Sequence, residues 1–174
     1  MNVGRGSARD REFHEFVSAR RAGLVRTATL LTGGDAHTAE DLVQTTLTRL
    51  YVAWPSFRAA YNPDGYLRRA LVNSLVDEHR RPWRRAERST AAPPELEAPV
   101  RDDEPEAAAA VRRALRALPP RMRAAVVFRY FYELDIAETA DALGCSTGTV
   151  KSQTARGLER LRAALDRSVT GVVI

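Results

Sequence analysis

"LGCSTGTVKSQTARGLERL", running from Leu143 to Leu161, is the stretch on which the reading of this chain turns. Gly144 can take the left-handed conformation that closes a helix without a Cβ penalty, and Ser146 is a suitable N-cap for a helix after it. At about 100° per residue, Val150, Thr154, Gly157, Leu158, Leu161 and Leu165 fall on one side of that second helix. Gly148, Thr149, Ser152, Ala155, Arg156 and Glu159 face away, with Lys151 and Gln153 at the flanks. Just upstream, Ile136, Ala137, Ala140 and Leu143 give a shorter helix one apolar face. Two helices joined by a tight glycine turn predict a helix-turn-helix. Its outward face is small and polar first, then basic, as a helix entering a major groove requires. Lys151, Gln153 and Arg156 are the expected base or phosphate contacts, with Arg160 and Arg162 further along the backbone. The plainer alternative is a helical corner with a solvated basic face.

Outward from this motif, helical periodicity continues and strand signals are nearly absent. "RMRAAVVFRYFYEL" and "AAAAVRRALRAL" are helical stretches separated at Pro119-Pro120, and Pro120 suits a first helical turn, where its missing N–H costs nothing. Nearer the N-terminus, Phe13, Phe16, Val17, Leu24, Ala28 and Leu31 form a stripe that "TGG" at Thr32 stops. A second helix opens at "HTAED", where Thr38 and Asp41 have capping-box spacing, and buries Leu42, Val43, Leu47, Leu50, Tyr51 and Trp54 before Pro55. An irregular stretch, "PSFRAAYNPDG", leads into a third helix, "YLRRALVNSLVDEHRR", which Pro82 ends near a cluster of arginines. Between about Arg88 and Glu106, "STAAPPELEAPVRDDEP" has few large apolar side chains and cannot offset its ordering entropy by burial, so a flexible linker is expected there. The predicted fold class is therefore all-α: two small helical domains joined by a flexible linker, the C-terminal one a helix-turn-helix.

The totals agree. The chain has 174 residues, 44% of them hydrophobic, which is enough for a buried core in one domain or two small ones. A net charge of +5 favours a polyanionic partner, nucleic acid first among them, although a solvated basic surface fits the charge equally well. The single cysteine, Cys145, rules out an internal disulfide framework and suits a reducing compartment; a redox switch is the alternative to simple packing for it. His14, His37, His79 and Cys145 lack metal-ligand spacing. No apolar run approaches the roughly 20 residues of a membrane span, and the N-terminus lacks a signal-peptide core. Neither a phosphate-binding glycine loop nor a nucleophile elbow is present. The expectation is a cytoplasmic protein without membrane insertion, enzymatic activity or cofactors.

"LPPRMRAAVVFRYFYELDIAETADALGCSTGTVKSQTARGLERLRAAL", Leu118 to Leu165, resembles the promoter-binding C-terminal domain of bacterial extracytoplasmic-function sigma factors. "AEDLVQTTLTRLYVAW", Ala39 to Trp54, resembles the family's polymerase-clamp helix, and "GYLRRALVNSLVDEHRR", Gly65 to Arg81, its promoter-melting helix. The resemblance covers about Glu12 to Leu165, with the modules in the family's order. It implies a region 2 domain over 11–88 and a region 4 domain over 107–168, and with the composition of the rest the expected division adds a disordered tail over 1–10, a linker over 89–106 and an apolar tail over 169–174.

The resemblance also assigns roles. Asp41, Leu42, Gln44, Thr45 and Thr48 match positions that grip the clamp of the largest polymerase subunit, with Leu42 open to being shared with the core. Phe57, Tyr61, Asn62 and Asp64 fall in the loop that captures a flipped minus-10 base. Tyr66, Arg69 and Asn73 match helix positions facing the separated strand, Tyr66 having a core aromatic as its alternative. An aromatic ring can stack on an unpaired base and an amide can read its edge. Arg80, Arg81, Arg84 and Arg85 would meet phosphates. Thr147, Gly148, Thr149, Lys151, Ser152, Gln153, Arg156 and Arg160 would meet the minus-35 duplex. Tyr66 stands where many relatives carry Trp, and Gln153 where many carry Arg. The implied partners are core RNA polymerase, through its clamp and the flap of its second-largest subunit, double-stranded promoter DNA, the melted minus-10 strand and an anti-sigma factor. The competing reading is a stand-alone dimeric helix-turn-helix regulator binding a palindrome, in which "AEDLVQ" and the basic third helix have no purpose. An adaptor or anti-sigma protein would need neither.

Overall fold

The structure, a computed structural model, describes residues 3–80 and 105–170, and the side chains of 8–80 and 105–167. Among the described residues there are eight α-helices and one π-helical turn and no strand. They are α1 (Val3–Leu31), α2 (Ala36–Val52), α3 (Trp54–Arg58), α4 (Pro63–Arg80), α5 (Glu106–Arg116), α6 (Pro120–Val126), the π turn Val127–Phe131, α7 (Ile136–Leu143) and α8 (Thr147–Thr170). No described helix is long and apolar enough to cross a membrane.

In the N-terminal module α1 lies along α2, and α4 packs on α2. Leu24, Ala28 and Leu31 of α1, Val43, Leu47 and Leu50 of α2 and Leu67, Leu71 and Leu75 of α4 are all buried in one apolar cluster. An aromatic cluster closes one end: Phe16 stands edge-on to Trp54 at 5.3 Å, and Trp54 stacks on Phe57 at 5.3 Å. Four sequence expectations change here. The N-cap of α2 is Asp35, which accepts from the Thr38 amide at 2.9 Å and its hydroxyl at 2.7 Å, because Asp35 sits one residue before the first helical position. Part of the stretch expected to be irregular is the short helix α3, which carries Pro55 in its first turn. Tyr51 lies outside the core, its ring under Arg9 and its hydroxyl donating to Asp10 at 2.5 Å, a bond that raises its pKa. The same bond holds part of the expected disordered tail in α1, which is helical from Val3 onward.

In the C-terminal module, α6 packs across α8 at Gly157. A Cβ there would meet Val126 Cγ2 at 2.5 Å and Met122 Cγ at 3.1 Å, so the glycine allows the two helices to approach this closely. Helix α7 opens with a complete capping box, Asp135 accepting from the Glu138 amide at 2.7 Å and Glu138 accepting from the Asp135 amide at 2.9 Å. It closes on Gly144 at φ 61°, the left-handed turn the sequence predicts. On this helix Thr139 is buried and Ala137 is exposed, because the Thr139 hydroxyl donates back to the Asp135 carbonyl at 2.7 Å and loses nothing by burial.

The two modules share one apolar core. α4 lies against α7 and α6, and Arg123 of α6 reaches across to donate to the Leu31 carbonyl at 2.8 Å. The "TGG" turn forms a second bridge. Gly33 and Gly34 have φ 69° and 91°, and a Cβ on Gly33 would lie 2.6 Å from the Arg116 Cα, so α5 rests directly on this turn. Arg116 Nε donates to the Gly33 carbonyl at 3.1 Å, and the Thr27 and Tyr132 hydroxyls bond at 2.5 Å. Most of the expected linker lies outside the described residues.

Two glycines of α8 therefore predict opposite effects. Gly157→Ala should destabilise the chain by about 1–3 kcal/mol through overpacking against Val126. Gly148→Ala, whose Cβ would meet only Ser146 Oγ at 3.8 Å, should stabilise it by about 0.5–1 kcal/mol through helix propensity. Urea unfolding of the two variants checks the pair, and equal signs would contradict this packing.

Candidate nucleic-acid and polymerase-facing surfaces

The outer face of α8 is built by its cap and its buried side. Ser146 Oγ accepts from the Thr149 amide at 3.2 Å and bonds the Thr149 hydroxyl at 2.9 Å, which fixes the first turn. Val150, Gly157 and Leu161 are buried, so rotation of the helix about its axis is set. Thr147, Gly148, Thr149, Lys151, Ser152, Arg156 and Arg160 are consequently exposed, and Gln153 is half-buried. Lys151, Gln153 and Arg156 have no hydrogen bond or ion pair among the described residues. Their donors are available to an external acceptor, and the side chains before them are too small to obstruct a groove.

Helix α2 presents a second surface. Asp41, Gln44, Thr45 and Thr48 are exposed along one side, while Leu42 is 4% exposed and belongs to the core. The shared role anticipated for Leu42 thus reduces to packing, because Leu42 falls on the side of α2 that faces α4. Thr48 donates to the Gln44 carbonyl at 2.8 Å, and His37 lies 3.6 Å from Asp41. A small dent beside Asp41 and Thr45 is walled by Ser74 and Glu78 of α4.

The third set surrounds the start of α4. Tyr61 is fully exposed, and Asn62 accepts from the Gly65 amide at 2.9 Å, opening the helix. Asp64 is held by Arg20 at 2.8 Å. Tyr66 is half-buried, edge-on to Phe57 at 5.6 Å, so part of the ring packs and part remains open. Phe57 does not belong with these residues. It is 5% exposed and stacked on Trp54, so its ring cannot reach a base. Asn73 and Arg80 are exposed, whereas Arg81, Arg84 and Arg85 lie outside the described residues. The guanidinium of Arg69 covers the helix-turn-helix glycine, its Nη2 3.3 Å from where a Gly144 Cβ would stand. The periodicity of α4 alone gives no sign of this contact, which ties one candidate DNA surface to the other module.

Cys145, in the turn, is partly buried, and desolvation raises its thiol pKa against a smaller lowering by Arg121. A raised pKa means less thiolate at neutral pH, so this cysteine is a poor nucleophile. Iodoacetamide alkylation of the folded chain should be slower at pH 7.5 than that of a free thiol, with its rate midpoint shifted to higher pH. Rapid alkylation, equal to that of the urea-unfolded chain, would contradict the assignment.

Comparison with known proteins gives a consistent picture. Residues 16–85 match the family model for sigma-70 region 2, and residues 108–161 match that for sigma-70 region 4. The chain is 39% identical to the RNA polymerase sigma-E factor of Streptomyces coelicolor over 158 residues, covering 88% of this chain and 86% of the relative. It is 35% identical to the ECF RNA polymerase sigma factor SigM of Mycobacterium tuberculosis, covering 99% and 94%. Among solved structures, the sigma factor RpoE of Bartonella quintana, crystallised with the anti-sigma factor NepR, superposes with a TM-score of 0.67 at 24% identity over 90% of this chain and 98% of that one.

Proposed function

This chain belongs to the sigma-70 family, among the extracytoplasmic-function sigma factors, and is an alternative sigma factor directing promoter-specific transcription initiation; we propose how its surfaces divide that task. The alternative of a stand-alone dimeric regulator is not favoured, since a region 2 module is present beside the helix-turn-helix.

In this proposal α8 enters the major groove at minus-35. Lys151 and Arg156 donate to base edges or phosphates, with Gln153 beside them and Arg160 on the backbone. The single observation that carries this is the unpartnered row of exposed Lys151 and Arg156 with half-buried Gln153 between them, on a helix whose rotation Gly157 and Val150 fix. Thr147, Gly148, Thr149 and Ser152 line the close approach. At minus-10, Tyr61 and the open part of Tyr66 offer rings to an unpaired base, while Asn62 and Asn73 offer amides. Arg69, now resting on Gly144, and Arg80 offer charge to the strand. Asp41, Gln44, Thr45 and Thr48 form the surface for the polymerase clamp, and the C-terminal module meets the flap. The protein acts in the cytoplasm and has an anti-sigma partner, the latter supported by a fold neighbour that was captured with an anti-sigma factor.

Lys151→Ala and Arg156→Ala should each weaken minus-35 binding by about 1–3 kcal/mol if a base edge is read. Titration of specific and scrambled duplexes checks this, and an equal loss on both would reassign the contact to phosphate. Asp41→Ala with Gln44→Ala should reduce capture of core polymerase while leaving minus-35 duplex binding intact, and unchanged capture would remove the assignment of that face. Run-off transcription with purified core polymerase on genomic promoter fragments tests the whole. Transcripts that require this protein are expected; no initiation, together with unaided binding of an inverted repeat, would overturn it.

A further inference from the structure

A cleft of about 280 Å³ lies at the seam between the modules, between α1 and the start of α4, with Tyr132 closing it from the C-terminal module. It shares only Asp64 with the surfaces described above. Its floor is apolar, formed by Leu24, Leu67 and Leu71. Around this floor stand the guanidinium groups of Arg20, Arg26 and Arg68. A single carboxylate, Asp64, opposes them, and it is already engaged by Arg20 at 2.8 Å. Neither Arg26 nor Arg68 has a hydrogen-bond or ion-pair partner among the described residues, and Arg68 Nε is buried with no acceptor.

Like charges gathered around a recess, with donors unsatisfied, are stabilised by an anion. Guanidinium groups favour phosphate because their planar fork matches its oxygens. The apolar floor and the Tyr132 phenol ring are suited to a flat organic body attached to that phosphate, and a volume near 300 Å³ is at the small end of ligand sites. We propose that this seam cleft binds a small organic phosphate of the nucleoside monophosphate class, with Arg26 and Arg68 on the phosphate and the base over Leu24, Leu67 and Leu71. Because Tyr132 and the arginines come from different modules, such a ligand binds the packed arrangement and adds to its stability in proportion to its preference for that state. The proposal rests on the packing of the modules and is independent of how the promoter is read.

Calorimetric titration of the full chain with adenosine monophosphate, adenosine and inorganic phosphate tests it. Adenosine monophosphate should bind at one site, inorganic phosphate more weakly, and adenosine not measurably. Arg26→Gln with Arg68→Gln should lower the affinity for adenosine monophosphate by about tenfold or more, whereas the charge-matched Arg162→Gln with Arg167→Gln should not. Gly23→Leu fills the cleft without changing charge. A Cβ at this helical position meets only Arg26 Nη2 at 3.7 Å, and a circular dichroism melt matching the wild type verifies that the variant folds. It should abolish binding of adenosine monophosphate while leaving run-off transcription at the wild-type level, so failure of the cleft and failure of the promoter reading are separate results. The proposal is overturned if the Gln pair or Gly23→Leu binds adenosine monophosphate as the wild type does. It is also overturned if inorganic phosphate binds equally well and both charge-matched pairs lose affinity alike, which is the behaviour of a diffuse basic surface.

Discussion

A buried guanidinium that pairs, among the described residues, with carbonyls and no carboxylate holds the two halves of this molecule in register. Arg123 is 5% exposed and donates to the carbonyls of Leu31 at 2.8 Å, Arg116 at 2.9 Å and Leu118 at 2.9 Å. These carbonyls lie at the C-terminal ends of α1 and α5, where helices leave acceptors unsatisfied and the macrodipole is negative. One cation therefore completes two helix ends from two modules. Burial, and to a smaller extent the neighbouring Arg116, bring its pKa down to about 10, which still leaves it charged at neutral pH. Removing it would leave the buried bonds to the Leu31 and Leu118 carbonyls unmade, and an unsatisfied buried acceptor costs about 1–3 kcal/mol.

The rest of the seam follows from that placement. With the end of α1 fixed to α6, the turn after it must pass directly under α5, which only glycines at 33 and 34 permit. The α4 face then comes against α7, and Arg69 comes to rest over Gly144. The outward faces of α8 and α2 remain free of these contacts. The surfaces proposed for minus-35 DNA and for the polymerase clamp are thus presented by the packed molecule as it stands. Part of the surface proposed for minus-10 DNA, Arg69, lies at the seam between the modules.

Local chemistry made much of this legible. Gly144 and Ser146 mark the helix-turn-helix because a left-handed turn and a side-chain cap are properties of single residues, and both are present. The exposed row on α2 follows from helical period alone, as does burial of Val150 and Leu161. The family resemblance puts Phe57 in the minus-10 loop, and the stretch around it has no clear period to give its ring a direction; three-dimensional stacking on Trp54 decides it. Asp35 and Thr38 both offer an oxygen near a helix start, and only the first helical position distinguishes them. Arg123 was invisible, since an arginine in a basic helix reads as a surface residue until the carbonyls of a distant helix are brought to it. For the same reason the seam cleft, which joins residues far apart in the chain, has no pattern in the sequence.

The central claim is that the two modules form one body through the seam that Arg123 completes. It is tested most directly by the distance between them in the free protein, measured by double electron–electron resonance. Spin labels at Glu15→Cys on α1 and Glu159→Cys on α8, in a Cys145→Ser background, place probes at exposed sites in the two modules. A single narrow distance distribution that Arg123→Ala broadens is the predicted result. A broad distribution in the chain that retains Arg123 would contradict the account.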